Sequence, residues 1–388
     1  EPKNDLVTAE VQKDAVRLIV FTSGTTGQPK GVELSYRAYQ TNRATFEQFL
    51  QIEPEDRFAV LIVNPLHHSN SSAITDWAMR RPGTRIHMLS RYTTAYWRIL
   101  ARVVERGYDR VVAPTVARHF DFLEELDRSE RLPLTATELK KAMRKVDFLI
   151  GSAPVGPTTI ERLLKYSGRI PAVRFGATET CLQVVGIPHD MPEDRRMENF
   201  ERGWRHRIGG EAFPGYYIGR PHPPHTEVRI VGSIDRKSET FMEDVPPGTP
   251  GYLICRGANL MKGYVGDDAA TRAAFEDDWY LGLKDICFAL TDERDGELDY
   301  FWMSRDAGLL IRGGANYACE QIAAELQEFA AGQYGLSKTA FDLAVVGVKV
   351  DSEHEDACCV TIELKNEEGA RTVRSAMAET FIDRARKR

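Results

Sequence analysis

Short apolar runs alternate with stretches of helical period through residues 16–176. The runs at 16–21, 58–63, 85–89, 110–113, 147–150 and 172–175 read as strands, the first of them as a buried one. Between them, apolar side chains recurring every three or four residues predict helices over 36–50, 93–106, 116–126, 137–144 and 158–166. Ser35 is placed to cap the first of these. Such alternation predicts a layered α/β domain with a largely parallel sheet, in which ligands bind beyond the carboxyl ends of the strands. Residues 1–15 are polar and read as a linker or frayed end. Residues 184–215 are long, polar and mixed in charge, and read as an insertion or lid. Strand-like runs at 227–231 and 251–255 then indicate a smaller β-rich subdomain.

Composition narrows the class. A chain of 388 residues suggests two or three domains, and 42% hydrophobic with 28% charged residues is ordinary for a soluble globular protein. The net charge of −6 gives no electrostatic case for a nucleic-acid or membrane partner. No apolar run has the length of a membrane span. Six scattered cysteines without Cys-x-x-Cys spacing read as buried free thiols in a reducing compartment, so the expected location is cytoplasmic. The chain begins without methionine, some twenty residues before its most informative loop, which reads as a fragment or as a chain with segments missing.

That loop holds Thr22, Ser23, Gly24, Thr25, Thr26 and Gly27, and closes with Pro29, Lys30 and Gly31. A strand, a loop of small residues and a capped helix gather backbone N–H groups around one concavity, which attracts phosphate. The hydroxyls add donors, and Lys30 supplies positive charge. A Walker loop would need Gly-Lys-Ser/Thr, so this is a different phosphate loop. His67 and His68 follow the second strand; as residues alone they fit a loop that bonds to itself equally well. Gly151, Ser152, Ala153 and Pro154 follow another strand, where a Gly-Ser turn lets a flat ring approach, or simply turns the chain into a helix. Phe175, Gly176, Thr178 and Glu179 place an aromatic face, a hydroxyl and a carboxylate within five residues. That set suits adenine, phosphate and a hydrated Mg²⁺, and equally suits a helix start capped by Thr178.

Residues 23–31 resemble the signature loop of the acyl-adenylate-forming enzymes, which include acyl-CoA synthetases, peptide-synthetase adenylation domains and luciferases. Every position of that Ser-Gly-Thr-Thr-Gly-x-Pro-Lys-Gly core is present. The resemblance extends in order to residue 364 and implies an α/β fold. It would have a large N-terminal domain (16–304) of layered α/β subdomains plus the β-rich part, its N-terminal portion missing. A small, mobile α+β C-terminal domain (305–388), itself incomplete, would follow, with a helix at 320–331 and strands at 343–350 and 357–364. By the same resemblance Thr22 to Gly27, Gly151 to Pro154, Phe175, Gly176 and Thr178 bind the nucleotide, and Glu179 holds magnesium. Lys30, Thr178, Glu179 and Arg305 serve catalysis, and His68, Gly151 and Gly176 border the acyl pocket. His68 lies in a Pro-x-x-His motif; peptide-synthetase domains carry an Asp there, which is absent here and counts against a free α-amino acid. Residues 251–257 with Met261 to Tyr264 resemble a structural segment. Asp285 falls near the ribose-binding aspartate, displaced by one residue, and the hinge aspartate or lysine corresponds to Ala307, with Asp306 adjacent. The terminal Gly-Lys motif is not found, and Lys387 does not match its context.

The implied cofactors are ATP, Mg²⁺ and coenzyme A, and the implied activity is carboxylate–CoA ligation through an acyl-AMP. One alternative is a standalone adenylating enzyme delivering the acyl group to an acyl carrier protein or an amine. Another is a non-catalytic nucleotide-binding homologue, motivated by the altered 285 and 307 regions. The pocket segments mix polar and small residues, which favours a medium-sized or functionalised acid over a long lipid.

Overall fold

The computed structural model describes residues 12–22, 29–305, 309–312, 315–334, 341–348, 350 and 355–364. The loop core Ser23 to Gly27, the hinge residues Asp306, Ala307 and Gly308, the pair Gly313 and Gly314, and Lys387 lie outside the described residues.

β1 (Val16–Thr22) and β2 (Lys30–Ser35) pair antiparallel, with Thr22 opposite Lys30. The stretch expected as a phosphate loop therefore falls between two antiparallel strands, not between a strand and a helix, and Lys30 opens the returning strand. β1 is also not the buried strand expected: of its seven residues only Val20 is buried, and Phe21 is 70% exposed. A run of apolar residues reports the capacity for burial, while the fold makes this one an outer strand. Ser35 Oγ accepts from the Ala38 N–H at 3.0 Å and starts α1 (Tyr36–Leu50) as expected.

The parallel sheet is built from β3 (Phe58–Ile62), α2 (Ser69–Arg80), β4 (Arg85–Met88), α3 (Ala95–Glu105), β5 (Arg110–Thr115), α4 (Arg118–Arg128), α5 (Ala136–Met143), β6 (Val146–Ile150), α6 (Pro157–Tyr166) and β7 (Ala172–Phe175). Strands β4, β3, β5, β6 and β7 lie side by side and parallel. β3 shows why the run 58–63 is apolar at every position. Phe58, Val60 and Ile62 face a core shared with α1 and α2, whereas Ala59, Leu61 and Val63 face one shared with α3, α4 and α6. α2 escaped the sequence reading because its first turn is Ser69, Asn70, Ser71 and Ser72. Its buried stripe runs through Asn70, Ala73, Ile74 and Trp77, and the Trp77 ring packs on Phe58 with centroids 5.0 Å apart.

The chain continues through β8 (Val185–Gly186), α7 (Glu193–Trp204), β9 (Arg207–Ile208), β10 (Glu211–Ala212), β11 (Tyr216–Pro221), β12 (Thr226–Val231), β13 (Gly251–Gly257), β14 (Gly263–Tyr264), α8 (Asp268–Ala274), β15 (Phe275–Glu276), β16 (Trp279–Tyr280), β17 (Asp285–Thr291) and β18 (Leu298–Arg305). β8 joins β7 antiparallel, and β11, β18, β17 and β13 extend the same sheet. The β-rich region is thus an antiparallel continuation of the parallel sheet, which has thirteen strands among the described residues. Most of 184–215 is likewise integral. α7 buries Arg196, Asn199, Phe200 and Gly203, with the Phe200 ring edge-on to Tyr217, and only the β9–β10 hairpin is exposed throughout. Its abundant charges concealed a helix held by ion pairs such as Arg195 to Asp292 at 2.7 Å. β14 pairs with β2 to complete a separate three-stranded sheet.

Beyond Arg305 come β19 (Leu309–Arg312), β20 (Ala315–Ala318), α9 (Cys319–Tyr334), β21 (Phe341–Val348) and β22 (Ala357–Leu364). The last two pair antiparallel, and Phe341 packs with Phe329 and Ala330 of α9. The cysteines are not uniformly buried: Cys358 and Cys359 are exposed, and no disulfide joins any of the six. Among the described residues no helix is long and apolar enough to cross a membrane.

Candidate active site

A cavity of about 520 Å³ opens beyond the carboxyl ends of the parallel strands. Its wall takes Val63 and Asn64 from the end of β3, Ser90 from beyond β4, and Val116 from beyond β5. Ser152 to Val155 come from beyond β6, and Phe175 to Thr178 from the end of β7. Parallel strands end together, so the residues following each one must share a rim. The volume is that of a small-molecule site.

Of the residues singled out in the sequence, Thr22, His68, Ser152, Ala153, Pro154, Phe175, Gly176, Thr178 and Arg305 line this cavity. Gly151 lies just behind Ser152, against Arg174. The chain stays tight here: Val184 N–H donates to the Phe175 carbonyl and Leu182 N–H to that of Ala177, both at 3.0 Å. A Cβ on Gly176 would stand 2.0 Å from the Leu182 carbonyl oxygen, so only glycine fits. Thr178 opens a short 3₁₀ turn (Thr178–Thr180), and its hydroxyl lies 3.3 Å from that of Ser69 in the first turn of α2. Burial holds the His68 imidazole below its ordinary pKa, aided by the neighbouring His67.

Glu179, half-buried, is the middle residue of this turn. Burial pushes its carboxyl pKa up, against the opposing pull of the Tyr264 hydroxyl, Arg305 and Lys30. Tyr264 donates to Glu179 Oε1 at 3.2 Å, and the Lys30 ammonium sits 4.9 Å above the centre of the same ring. Tyr264 is therefore the link between Lys30 and Glu179. Sequence reasoning took its segment as structural; the pairing of β14 with β2, placing Tyr264 opposite Val32, is what brings it there. Among the described residues no three His, Cys, Asp or Glu side chains converge on a metal-sized site. A lone carboxylate disfavoured in its ionised form fits an ion that takes its other ligands from phosphate and water.

Asp285 does not line the cavity. It is fully buried behind Arg305 and Trp302 and accepts from Arg305 Nε at 2.8 Å, Arg305 Nη2 at 3.0 Å and Trp302 Nε1 at 2.7 Å. Burial opposes the charge of Arg305, but the Asp285 carboxylate outweighs it and raises the guanidinium pKa. Asp285 thus fixes a cation that does line the cavity. The sequence reading also missed Arg174, His119, Tyr92 and Trp302 as wall residues. His119 stacks on Tyr92 with centroids 4.5 Å apart, and burial lowers its pKa to about 4, so it is neutral at physiological pH. For Arg174 a signal existed: a charged residue inside an otherwise apolar strand.

Residues 1–265 match the family of AMP-binding enzymes. The sulfoacetate–CoA ligase of Cupriavidus necator is 28% identical over 315 residues, covering 80% of this chain and 52% of that protein. The mitochondrial medium-chain acyl-CoA ligase of Homo sapiens is 27% identical over 349 residues, covering 89% of this chain and 49% of that protein. The chain spans about half the length of these curated relatives. A malonyl-CoA ligase solved with methylmalonyl-CoA and AMP bound superposes with a TM-score of 0.66 at 24% identity, covering 95% of this chain and 70% of that one. The o-succinylbenzoate CoA synthetase of Bacillus subtilis gives the same score at 19% identity, covering 95% and 64%. These structures share the fold described above.

Proposed function

The chain belongs to the AMP-binding enzyme family, and from that membership we propose that its cavity activates a carboxylic acid with MgATP and passes the acyl group to coenzyme A. The observation that carries the reading is the cluster that runs from Thr178 and Arg305 in the cavity wall through Glu179 and Tyr264 to Lys30. Lys30, Tyr264, Glu179, Thr178 and Arg305, from four separate stretches of chain, meet where phosphates and their counter-ion need opposite partners. The relatives that act as CoA ligases on sulfoacetate and on medium-chain acyl groups support the acceptor.

ATP, when bound, supplies an electrophilic α-phosphorus. An oxygen of the acid bonds to it as pyrophosphate leaves, and the thiol then attacks the acyl carbon as AMP departs with that shared oxygen. The chain's part is positioning and charge. Lys30, Arg305 and the Thr178 hydroxyl offset negative charge building on the phosphates, and Glu179 holds Mg²⁺. Phe175 and the 151–154 turn receive the adenine, and His68, neutral and beside Thr178's partner Ser69, borders the acid. Asp285 acts through Arg305. A large domain (16–304) is followed by a small one (305–388) that admits coenzyme A, the division falling at Arg305. Pyrophosphate release by the whole gene product, with a panel of acids and with or without coenzyme A, tests this. Release that depends on acid, is lost in Glu179→Ala and ends in a CoA thioester supports it. Release without any use of coenzyme A moves the acceptor to a carrier protein or an amine, and ATP binding without release refutes the proposal.

A further inference from the structure

The cavity wall carries charge of one sign. Among the described residues it includes Arg91, Arg174 and Arg305 and no Asp or Glu. Arg305 has its counter-charge in Asp285, and Arg91 is exposed. Arg174 has neither relief. It is 4% exposed, makes no ion pair among the described residues, and donates from Nη2 to the neutral Oδ1 of Asn70, while its Nε has no partner. Arg110, two strands away in the same sheet, shows the usual solution: it meets Asp147 at 2.7 Å. A guanidinium buried without an anion costs several kcal/mol, roughly the penalty of an unpaired buried ion. Burial alone brings its pKa down to about 10.

The position of the group says what kind of anion is missing. A Cβ added at Gly151 would meet Arg174 Cζ and Nη1 at 3.5 Å, and Asn70 belongs to the first turn of α2. The guanidinium thus lies between the end of β6 and the start of α2, whose cap position, His68, makes no side-chain capping bond. The positive end of that helix adds to the same field. This is the side of the cavity bordered by His68, where the acid is placed. The triphosphate cluster already has Lys30 and Arg305.

We propose, building on the acid-activating reading of this cavity, that the acid carries a second anionic group, a carboxylate or sulfonate, bound by Arg174. A cavity of about 520 Å³ that also takes part of the nucleotide leaves room for a short acid. Among the described residues the wall offers a cationic substituent no carboxylate partner.

The test is the rate of acid-dependent pyrophosphate release by the whole gene product for matched pairs: malonate against propionate, succinate against butyrate, and 3-sulfopropanoate against butyrate. The dianion should exceed its matched monoanion in kcat/KM by about 100-fold or more, as for a site whose buried polar group would otherwise stay unpaired. Arg174→Gln should lower that ratio by at least about 30-fold, mainly through KM of the dianion, with Arg174→Lys between the two. Equal or better use of every monoanion overturns the proposal and leaves the ligase reading standing. A ratio unmoved in Arg174→Gln and Arg174→Lys overturns it too, because an arginine on the reacting carboxylate or on phosphate affects both acids alike. If Arg174→Gln does not fold, the wild-type ratio and the lysine variant decide. Failure of every acid to release pyrophosphate refutes the ligase reading and this proposal together.

Discussion

Replacing Gly176 with alanine should disable the site while leaving the domain folded. A Cβ there would lie 2.0 Å from the Leu182 carbonyl oxygen, 2.8 Å from its carbon and 3.0 Å from Gln183 Cα. All three are backbone atoms, held by the bonds from Leu182 N–H to Ala177 and Val184 N–H to Phe175. No rotamer change relieves the overlap, so the 175–179 segment must move by about 1 Å to restore tolerable contact. Overpacking of this kind costs about 1–3 kcal/mol, which a large domain tolerates. The segment carries Phe175, Thr178 and Glu179 at once, and a misplacement of about 1 Å costs on the order of 100-fold in rate. The assay is pyrophosphate release by wild type and Gly176→Ala, alongside urea unfolding to confirm the fold. A variant of near wild-type stability that retains more than about one third of wild-type kcat/KM would refute the reasoning, since the expected loss is on the order of 100-fold.

Asp285→Asn should destabilise the protein by about 3 kcal/mol in urea unfolding, because it leaves Arg305 without its buried carboxylate; a change below about 1 kcal/mol would show the pair to be dispensable. Glu179 carries a raised pKa, so its contribution favours the fold below the ordinary carboxyl value and is lost as pH rises through the folded value. Without nucleotide or metal, Glu179→Gln should therefore melt above wild type at neutral pH, with the gap closing in acid; a gap of the opposite sign contradicts this. Asp147 behaves the other way. Burial opposes its charge, but His189, Arg110 and Arg169 together hold its carboxyl well below the usual range. Its stabilisation is present above the ordinary carboxyl value and is lost as pH falls toward the folded one. Asp147→Asn should flatten the acid limb of the stability curve, and an unchanged limb would count against the ion-pair cluster.

The parallel half of the sheet is legible in the sequence because its inner strands are buried on both faces, so their runs are short and largely apolar, as at 58–62. Legibility fails where polarity and burial part company. β1 has the apolar run without the burial, and α2 has a buried stripe that begins with serine and asparagine. α7 hides under charges that are satisfied by partners about a hundred residues away, such as Arg195 to Asp292. The site shows the same division. His68, Ser152, Phe175 and Thr178 follow strands directly, so local pattern is enough to place them. Tyr264 and Asp285 reach the site through pairings between distant stretches, to β2 and to Arg305, and no local window contains that information. Arg174 was visible as a cation within a strand, but its lack of a partner is a property of the packed interior.

The central claim is that the acid's own oxygen attacks the α-phosphorus within this cavity. The most direct measurement uses an acid labelled with heavy oxygen in both carboxylate positions. It is incubated with ATP, Mg²⁺, coenzyme A and the whole gene product, and the AMP and thioester are read by mass spectrometry. The account predicts one heavy oxygen in the phosphate of AMP and one in the thioester carbonyl. Unlabelled AMP, or heavy oxygen recovered in inorganic phosphate, would contradict it.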